Sequence, residues 1–459
     1  MSEYVPASDL RAAFSDAMSE MYRREVPLYG DLIDLVAAIN SKFLVDNQYI
    51  RAELECSGEM ARLDVERHGA IRVGRAEELS ALRRIFALMG MYPVGYYDLS
   101  VAGVPVHSTA FRPVEPAALN ASPFRIFTSL LRLELIEDEA LRETAGRILA
   151  GRRIMSDRVM EIIEISEKNG GVPVDLQTEF LREVLDIFRW HPEAIVDRET
   201  YRQLHDAHRL IADVVSFKGP HINHLTPSVL DIDAAQQEMK QRGIRAKSVI
   251  EGPPRRAVPI LLRQTSFTAL EEPVRFLGEA AGEKGVHTAR FGEIEQRGVA
   301  LTPKGRRLYD QCLAEARGVS GAAAEDYEER LAQAFATFPD DAATLRREGL
   351  AYFRYVLTEK GLKSTEQGQT GSEQSQNWLD EGLIRAKPIL YEDFLPVSAA
   401  GIFQSNLGGA EQRHYDAQSS QDRFEAALGT SVYDPFALYQ QAQDDSLAQA
   451  RRLLTGEER

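Results

Sequence analysis

The chain has 459 residues, of which 44% are hydrophobic and 27% are charged, a composition typical of a globular protein with a sizeable core. Its 54 basic and 70 acidic side chains give a formal net charge of −16, so no basic footprint for nucleic acid is present. We find neither a charged, apolar leader nor a run of about 18 apolar residues, and expect a cytoplasmic protein without a membrane partner. The two cysteines, Cys56 and Cys312, cannot build a disulfide framework or a CxxC metal site. Any metal therefore needs His, Asp or Glu ligands.

The first half of the chain predicts helices separated by short strands. Leu10, Phe14 and Met18 recur at helical spacing, so the first 45 residues are predicted to be helical. The other elements predicted here are a helix over 77–89, a nearly all-helical stretch over 123–215, and strand-type segments over 52–73 and 96–112.

The second half also mixes short strands with helices. Asp231 can cap a helix over 232–242, which Gly243 ends. The segment 359–377 is polar and rich in Gly, Ser and Gln, which is typical of a loop. The remaining predicted elements are strands over 246–250, 258–269 and 288–300, and helical structure from 302 to 358.

Two stretches share the same order of elements: a His in an extended piece, a helix ended by Gly, and then strands. His68 precedes Phe111 by 43 residues, and His224 precedes Phe267 by the same 43 residues. Self-similarity of this kind indicates duplicated modules. Two such modules can place their first strands side by side, with both histidines pointing into one shared concavity.

A pair of carboxylates follows in the segment FGEIEQR. Its alternation of acidic and apolar residues places Glu293 and Glu295 on one face of a strand. With two histidines, one of these carboxylates would complete a two-His, one-carboxylate facial triad, which suits non-haem Fe(II) and leaves positions for substrate and O2. The pattern does not decide whether Glu293 or Glu295 is the carboxylate ligand, or whether His224 or His221 is the second histidine ligand. The two histidines are three residues apart, so in an extended strand they point to opposite faces.

The order of these motifs resembles a known enzyme group. Two histidines followed by a Glu in an E-I-x-Q-R strand are similar to vicinal oxygen chelate enzymes of the 4-hydroxyphenylpyruvate dioxygenase and hydroxymandelate synthase type. Within that group, RHGAIR, PHINHLTP, RFGEIEQRG and FLPVSAAGIF resemble the 2-oxoadipate dioxygenase/decarboxylase family, also called 2-hydroxyglutarate synthase. The resemblance runs from about Leu10 to the C-terminal tail.

This resemblance implies an α+β fold in which paired βα-strand modules form a curved sheet around a metal, with large helical insertions. We expect one compact catalytic unit made of five consecutive segments. They are N-terminal helices with a first metal-binding module (1–115), a helical insertion (116–215), a second metal-binding module (216–300), a helical segment with a polar loop (301–385), and a C-terminal substrate-loop segment with a tail (386–459).

The resemblance also implies the site residues, carried over motif by motif. The implied Fe(II) ligands, which are also the catalytic residues, are His68, His224 and Glu293. The implied substrate contacts are His68, Arg72, Val397 and Ser398. Arg72 suits this role physically, because a guanidinium can hold a carboxylate bidentately.

The activity implied by the family is conversion of 2-oxoadipate and O2 to (R)-2-hydroxyglutarate and CO2 in lysine catabolism. A 2-oxo acid can chelate iron through its C1 carboxylate and C2 carbonyl oxygen, which orders the reactants. The expected partners are thus a small 2-oxo diacid and O2. Two other interpretations stay open: a metal-dependent isomerase or lyase of the glyoxalase kind, which needs no O2, and a non-catalytic protein that binds a small ligand.

Overall fold

The computed structural model describes residues 3–279, 285–317, 324–366, 375–395 and 417–456. Their contacts cluster into two units. The described residues of the first unit lie within Met1–Ile250, Gln264–Gln296 and Phe394–Tyr433, and those of the second within Glu251–Arg263, Arg297–Asp393 and Asp434–Arg459. No helix among the described residues is long and apolar enough to cross a membrane.

A five-stranded sheet organises the first unit. Its strands are β1 (Arg67–Val73), β2 (Tyr92–Asp98), β3 (Val106–Arg112), β4 (Arg125–Leu131) and β5 (His224–Pro227), in the order β2-β3-β4-β1-β5. β1 runs parallel to β4, whereas the other neighbouring pairs are antiparallel. β3 and β4 are buried along their whole length, so both of their faces are covered.

Helices supply most of the core that covers this sheet. Leu10, Phe14 and Met18 on the first helix are fully buried and belong to one cluster with Ile71 and Val73 of β1. The first twelve helices are α1 (Ala7–Glu25), α2 (Pro27–Asp46), α3 (Gln48–Ser57), α4 (Met60–Val65), α5 (Ala76–Leu88), α6 (Pro116–Ala121), α7 (Glu139–Gly151), α8 (Asp157–Asn169), α9 (Gln177–Ile187), α10 (Arg198–Ala207), α11 (Arg209–Val215) and α12 (Ile232–Gln241).

Four short strands follow α12 and form two small sheets. They are β6 (Leu262–Ser266), β7 (Glu272–Val274), β8 (Gly285–His287) and β9 (Glu293–Arg297). β6 pairs with β9, and β7 pairs with β8. β9 brings the acidic segment of the sequence next to the edge of β5, because Ser228 forms an isolated bridge with Glu295.

The second unit contains an antiparallel pair of strands, β10 (Phe353–Leu357) and β11 (Ile384–Pro388). Trp378 is buried there with Leu383 and Ile384. The helices between Pro303 and Asp380 are α13 (Pro303–Arg317), α14 (Ala324–Ala334), α15 (Ala342–Arg347), α16 (Glu359–Glu366) and α17 (Ser375–Asp380). The last two helices are α18 (Ala417–Leu428) in the first unit and α19 (Pro435–Thr455) in the second.

The predicted α+β class is confirmed. The first strands of the two predicted modules, β1 and β5, lie side by side and antiparallel. The division into five segments stays a prediction.

Several local predictions were wrong where short patterns are ambiguous. Residues 52–57 and 60–65 are helical rather than strand-like. α3 ends at Ser57, and the left-handed backbone of Gly58 (φ 71°) caps it. β4 interrupts the stretch predicted to be nearly all helical. Because both of its faces are buried, its sequence RIFTSLL lacks the alternation of a half-exposed strand.

The second half holds the other differences. No strand forms over 246–250, where Ala246 makes an isolated bridge to Phe267. β10 occupies the end of the stretch predicted to be helical up to 358. The polar segment 359–377, predicted to be a loop, begins with α16 and ends inside α17, because its charged residues are also good helix formers.

Candidate metal centre

Three strands of the first unit bring His68, His224 and Glu293 together. Ala70 of β1 lies opposite His224 of β5, and His68 is two residues from Ala70, so both imidazoles leave the same face of the sheet. Glu293 is the first residue of β9. One potential ligand atom from each side chain lies within 4.8 Å of the others, and all three residues are fully buried.

The two imidazoles face a single carboxylate oxygen. Nε2 of His68 lies 3.3 Å from Oε1 of Glu293, and Nε2 of His224 lies 3.9 Å from the same oxygen. The two imidazole rings are nearly perpendicular, at 88°, with their centroids 5.4 Å apart. Two nitrogens and one oxygen converging from three strands are the donor set of a facial triad, which is typical of non-haem Fe(II).

Glu293 is held in place by two donors. The hydroxyl of Thr226 donates to its Oε1 at 3.0 Å, and the amide of Gln264 donates to the same oxygen at 2.8 Å. Within the described part of the chain, Oε2 of Glu293 and both ring nitrogens of His224 have no hydrogen-bond partner. Buried polar atoms are nearly always satisfied, so this group of unpartnered atoms fits a bound metal ion.

The protonation states of the two histidines differ. Burial lowers the pKa of His224 to about 4, so its imidazole is neutral at pH 7, which is the form that binds metals. Burial also lowers the pKa of His68, but the carboxylates of Glu295 and Glu293 outweigh burial and the net shift is upward. The nearby carboxylates thus favour any positive charge at His68, so a proton and a metal cation compete for its imidazole.

Glu295 contacts the other side of His68. Its Oε2 lies 3.1 Å from Nδ1 of His68, whereas Glu293 lies near Nε2. The geometry therefore favours Glu293 as the ligand and gives Glu295 the position of a partner that orients the imidazole. Sequence spacing placed both carboxylates on one face, but it could not distinguish these two positions.

Aromatic rings enclose the three side chains. Phe394 packs edge-on against His68 with ring centroids 4.9 Å apart, and Phe291 lies 4.8 Å from His224. Both phenylalanines are buried. Such apolar surroundings strengthen electrostatic interactions within the centre and restrict the entry of water.

Arg72 lies on the same strand as His68 and is also buried. Its Nη1 donates to Oδ2 of Asp213 at 2.7 Å. His221 is not part of the group around Glu293. Instead, His221 and His287 approach Asp213 and form a second buried group of potential ligands with it. The structure thus separates His221, which precedes β5, from His224, the first residue of that strand.

The remaining predicted contacts, Val397 and Ser398, lie outside the described residues. The sequence interpretation named neither Asp213 nor His287 as a site residue, and both are buried. A signal for Asp213 exists in RLIADVV, where a single carboxylate interrupts an apolar helix, since a buried carboxylate requires a partner.

The fold and the donor set together define a class: an α+β protein with a buried candidate metal site of the two-His, one-carboxylate kind. The family model described as 2-oxoadipate dioxygenase/decarboxylase matches residues 14–406. The chain belongs to this family.

Individual relatives agree with this assignment. The chain is 56% identical to the 2-oxoadipate dioxygenase/decarboxylase of Pseudomonas putida, with 97% of each chain covered. It is 39% identical to that of Mycobacterium bovis, over 98% of this chain and 99% of the relative. The crystal structure of hydroxyglutarate synthase from Pseudomonas putida in complex with 2-oxoadipate matches with a TM-score of 0.92 and 54% identity, covering 99% of this chain and all of that one (100%).

Proposed function

We propose that this chain is an Fe(II)-dependent enzyme that converts 2-oxoadipate and O2 to (R)-2-hydroxyglutarate and CO2, the activity first expected from its motifs. The observation that carries the proposal is the buried convergence of His68, His224 and Glu293, whose potential ligand atoms lie within 4.8 Å of one another and whose side chains include nitrogen and oxygen atoms without a hydrogen-bond partner. The names of the relatives supply the substrate class.

His68, His224 and Glu293 are the residues that would hold the iron. When bound, Fe(II) supplies Lewis acidity toward a 2-oxo acid and activation of O2. Thr226 and Gln264 keep the carboxylate of Glu293 directed toward the two imidazoles. The reaction balances, because one carbon of the six-carbon diacid leaves as CO2 and both atoms of O2 are incorporated into the products.

Arg72 would bind a carboxylate of the substrate. It is buried and positively charged, and its guanidinium can offer two parallel donors to a carboxylate. Phe394 and Phe291 would exclude water from the reacting groups. Contacts from Val397 and Ser398, and a cytoplasmic location, stay predictions of the sequence.

Anaerobic reconstitution tests the proposal. The metal-free protein is loaded with Fe(II), its iron content is measured, and 2-oxoadipate is added before O2. We expect about one iron per chain, consumption of O2, and equal amounts of CO2 and 2-hydroxyglutarate.

Two results would contradict it. An iron-loaded protein that releases no CO2 excludes the proposed reaction. Conversion of the substrate without O2, supported by Ni(II) or Zn(II), favours an isomerase or lyase of the glyoxalase kind instead.

A further inference from the structure

A second buried polar group surrounds Asp213 of α11. Oδ2 of Asp213 accepts a hydrogen bond from Nη1 of Arg72 at 2.7 Å. Oδ1 lies 3.1 Å from Nε2 of His221 and 3.0 Å from Nε2 of His287. Both oxygens of this carboxylate are therefore engaged. Arg72 donates to one, His287 is hydrogen-bonded to the other, and Nε2 of His221 lies close to that second oxygen without hydrogen-bond geometry.

The imidazole of His287 is itself held on several sides. The hydroxyl of Tyr201 lies 2.9 Å from its Nδ1. Trp190 lies parallel to the His287 ring, at 9° and 5.8 Å between centroids, and Phe217 packs against it at 4.6 Å. A side chain fixed in this way gives Asp213 little freedom to move.

The charges of this group favour hydrogen bonding over a second metal ion. Burial raises the pKa of Asp213, but His221, His287 and Arg72 outweigh burial and hold the pKa well below its ordinary value, so the group is a carboxylate. Burial lowers the pKa of His221, which keeps its imidazole neutral. A divalent cation bound to Asp213 would lie close to the guanidinium of Arg72, and like charges repel strongly in a buried setting.

Arg72 connects this group to the metal centre. It lies on the same face of β1 as His68, four residues further along the strand. The guanidinium therefore belongs to the side of the strand that bears the candidate ligand His68, while its Nη1 is bound to Asp213.

We propose that Asp213 is a positioning residue that fixes the guanidinium of Arg72 for a carboxylate of the substrate, and that His221 and His287 hold Asp213 in turn. This inference rests on the proposed function, because it assigns substrate binding to Arg72. Asp213 acts through Arg72 and holds no iron.

The central test is the Asp213→Asn variant. Asparagine keeps the shape, but it removes the negative charge and supplies one acceptor oxygen where Asp213 has two. In the iron-loaded enzyme we expect the KM for 2-oxoadipate to rise roughly 10- to 100-fold, because a small misplacement of a binding group costs about this much. The iron content stays at one per chain, and kcat changes less than KM.

Asp98→Asn is the matched control. Asp98 forms a part-buried ion pair with Arg132 at 3.2 Å, and neither residue belongs to the group of candidate ligands. This variant removes the same charge from another ion pair with an arginine, so it is expected to leave KM and iron content unchanged. Equal KM values for the two variants would overturn the inference.

A double variant tests whether Asp213 acts through Arg72. If it does, adding Asp213→Asn to Arg72→Ala causes little further rise in KM, since the group being positioned is already missing. Independent effects of the two changes would overturn the inference. Anaerobic titration of the iron-loaded proteins with 2-oxoadipate measures the Kd of each single variant and of the double variant, and so makes the same comparison without catalysis.

A change at His287 keeps the inference testable should Asp213→Asn fail to fold. His287→Gln retains an N–H donor for Asp213, whereas His287→Leu removes it. We expect the Leu variant to raise KM more than the Gln variant, and equal effects would overturn the inference.

Two metal ions per wild-type chain, with one lost in Asp213→Asn, would also overturn the inference by identifying a second metal site. Failure of the wild-type enzyme to release CO2 would instead count against the proposed function.

Discussion

At the scale of single residues, His68 lies between two carboxylates, one close to each of its ring nitrogens. Glu293 and Glu295 are separated by one residue of β9 and therefore share a face of the strand. One lies 3.3 Å from Nε2 and the other 3.1 Å from Nδ1. Contact of Nδ1 with a carboxylate orients an imidazole and makes its other nitrogen a better metal ligand.

Glu295→Gln is expected to weaken metal binding without abolishing it. The amide retains the size of the side chain but loses the charge that orients His68, and loss of such a partner typically costs about 10- to 100-fold in metal affinity or activity. Competition with a chelator measures the affinity. Glu161→Gln, an exposed change on α8, is the control. Equal affinities of the two variants would mean that Glu295 does not orient the ligand.

His224→Ala is expected to lose iron and activity together, because it removes one of the three candidate ligands. His221→Ala should keep stoichiometric iron, since His221 contacts Asp213 instead. Metal analysis of the purified variants distinguishes them, with His205→Ala as an exposed control. Full iron content in His224→Ala would show that His224 is not a ligand and reopen the choice between the two histidines.

The sequence predicted a candidate ligand set that the structure brings together, but not the residues that surround it. His68, His224 and Glu293 lie in short motifs that resemble a known family. Asp213 and Arg72 are 141 residues apart, so no local pattern joins them. Their proximity arises from the packing of α11 near β1, which depends on tertiary contacts.

At the scale of elements, the start of β9 depends on a glycine. A Cβ added to Gly292 would lie 2.0 Å from Cε1 of Phe267, a buried ring. Gly292 immediately precedes Glu293. The close approach of the Gly292 backbone to the ring of Phe267 therefore fixes the position from which the Glu293 side chain extends.

Gly292→Ala is expected to destabilise the protein by about 1–3 kcal/mol, the usual cost of overpacking a core, and to lower metal affinity by displacing Glu293. Urea unfolding and metal titration measure the two effects. Gly146→Ala in α7 is the matched control. A Cβ there meets nothing within 4 Å, and Ala favours a helix by up to about 1 kcal/mol. Unchanged stability and metal affinity in Gly292→Ala would contradict the proposed role of the close contact.

Elements with strong helical periodicity, such as α1 and α5, were predicted from the sequence, whereas β4 was not. The burial of all seven residues of β4 removes the polar positions that reveal a strand. The pairing of β1 with β5 followed from the repeated order of elements, because similar modules can place equivalent strands together.

At the scale of the whole molecule, buried neutral histidines make stability depend on pH. His107 lies against Tyr96 and Phe424, and burial lowers its pKa to about 4. The unfolded chain binds a proton near pH 6.5, whereas the folded chain does not until about pH 4. This group therefore contributes stability that is present above pH 6.5 and is lost as the pH falls toward 4.

His107→Asn is expected to reduce the loss of stability in acid. Between pH 6.5 and 5, metal-free wild-type protein should lose on the order of 2 kcal/mol more unfolding free energy than this variant. Urea unfolding at both pH values measures the difference. The raised pKa of His68 acts in the opposite direction but equally in both proteins. His205→Asn is an exposed control, and identical pH dependence in all three proteins would contradict the prediction.

The fold class and family could be predicted from the whole sequence, whereas the two units could not. Residues 251–263 and 434–456 join the second unit although they are far apart in the chain. Long-range contacts define this grouping.

The distribution of the three candidate ligands over β1, β5 and β9 has a consequence for the lifetime of the protein in the cell. An ion that joins distant parts of the chain binds the native state in preference to the unfolded one, and at a free concentration 100 times its Kd it adds about 2.7 kcal/mol of stability. Proteases degrade mainly the unfolded population. With iron as the proposed ion, the abundance of this enzyme is expected to follow the supply of iron, with degradation fastest when that metal is scarce.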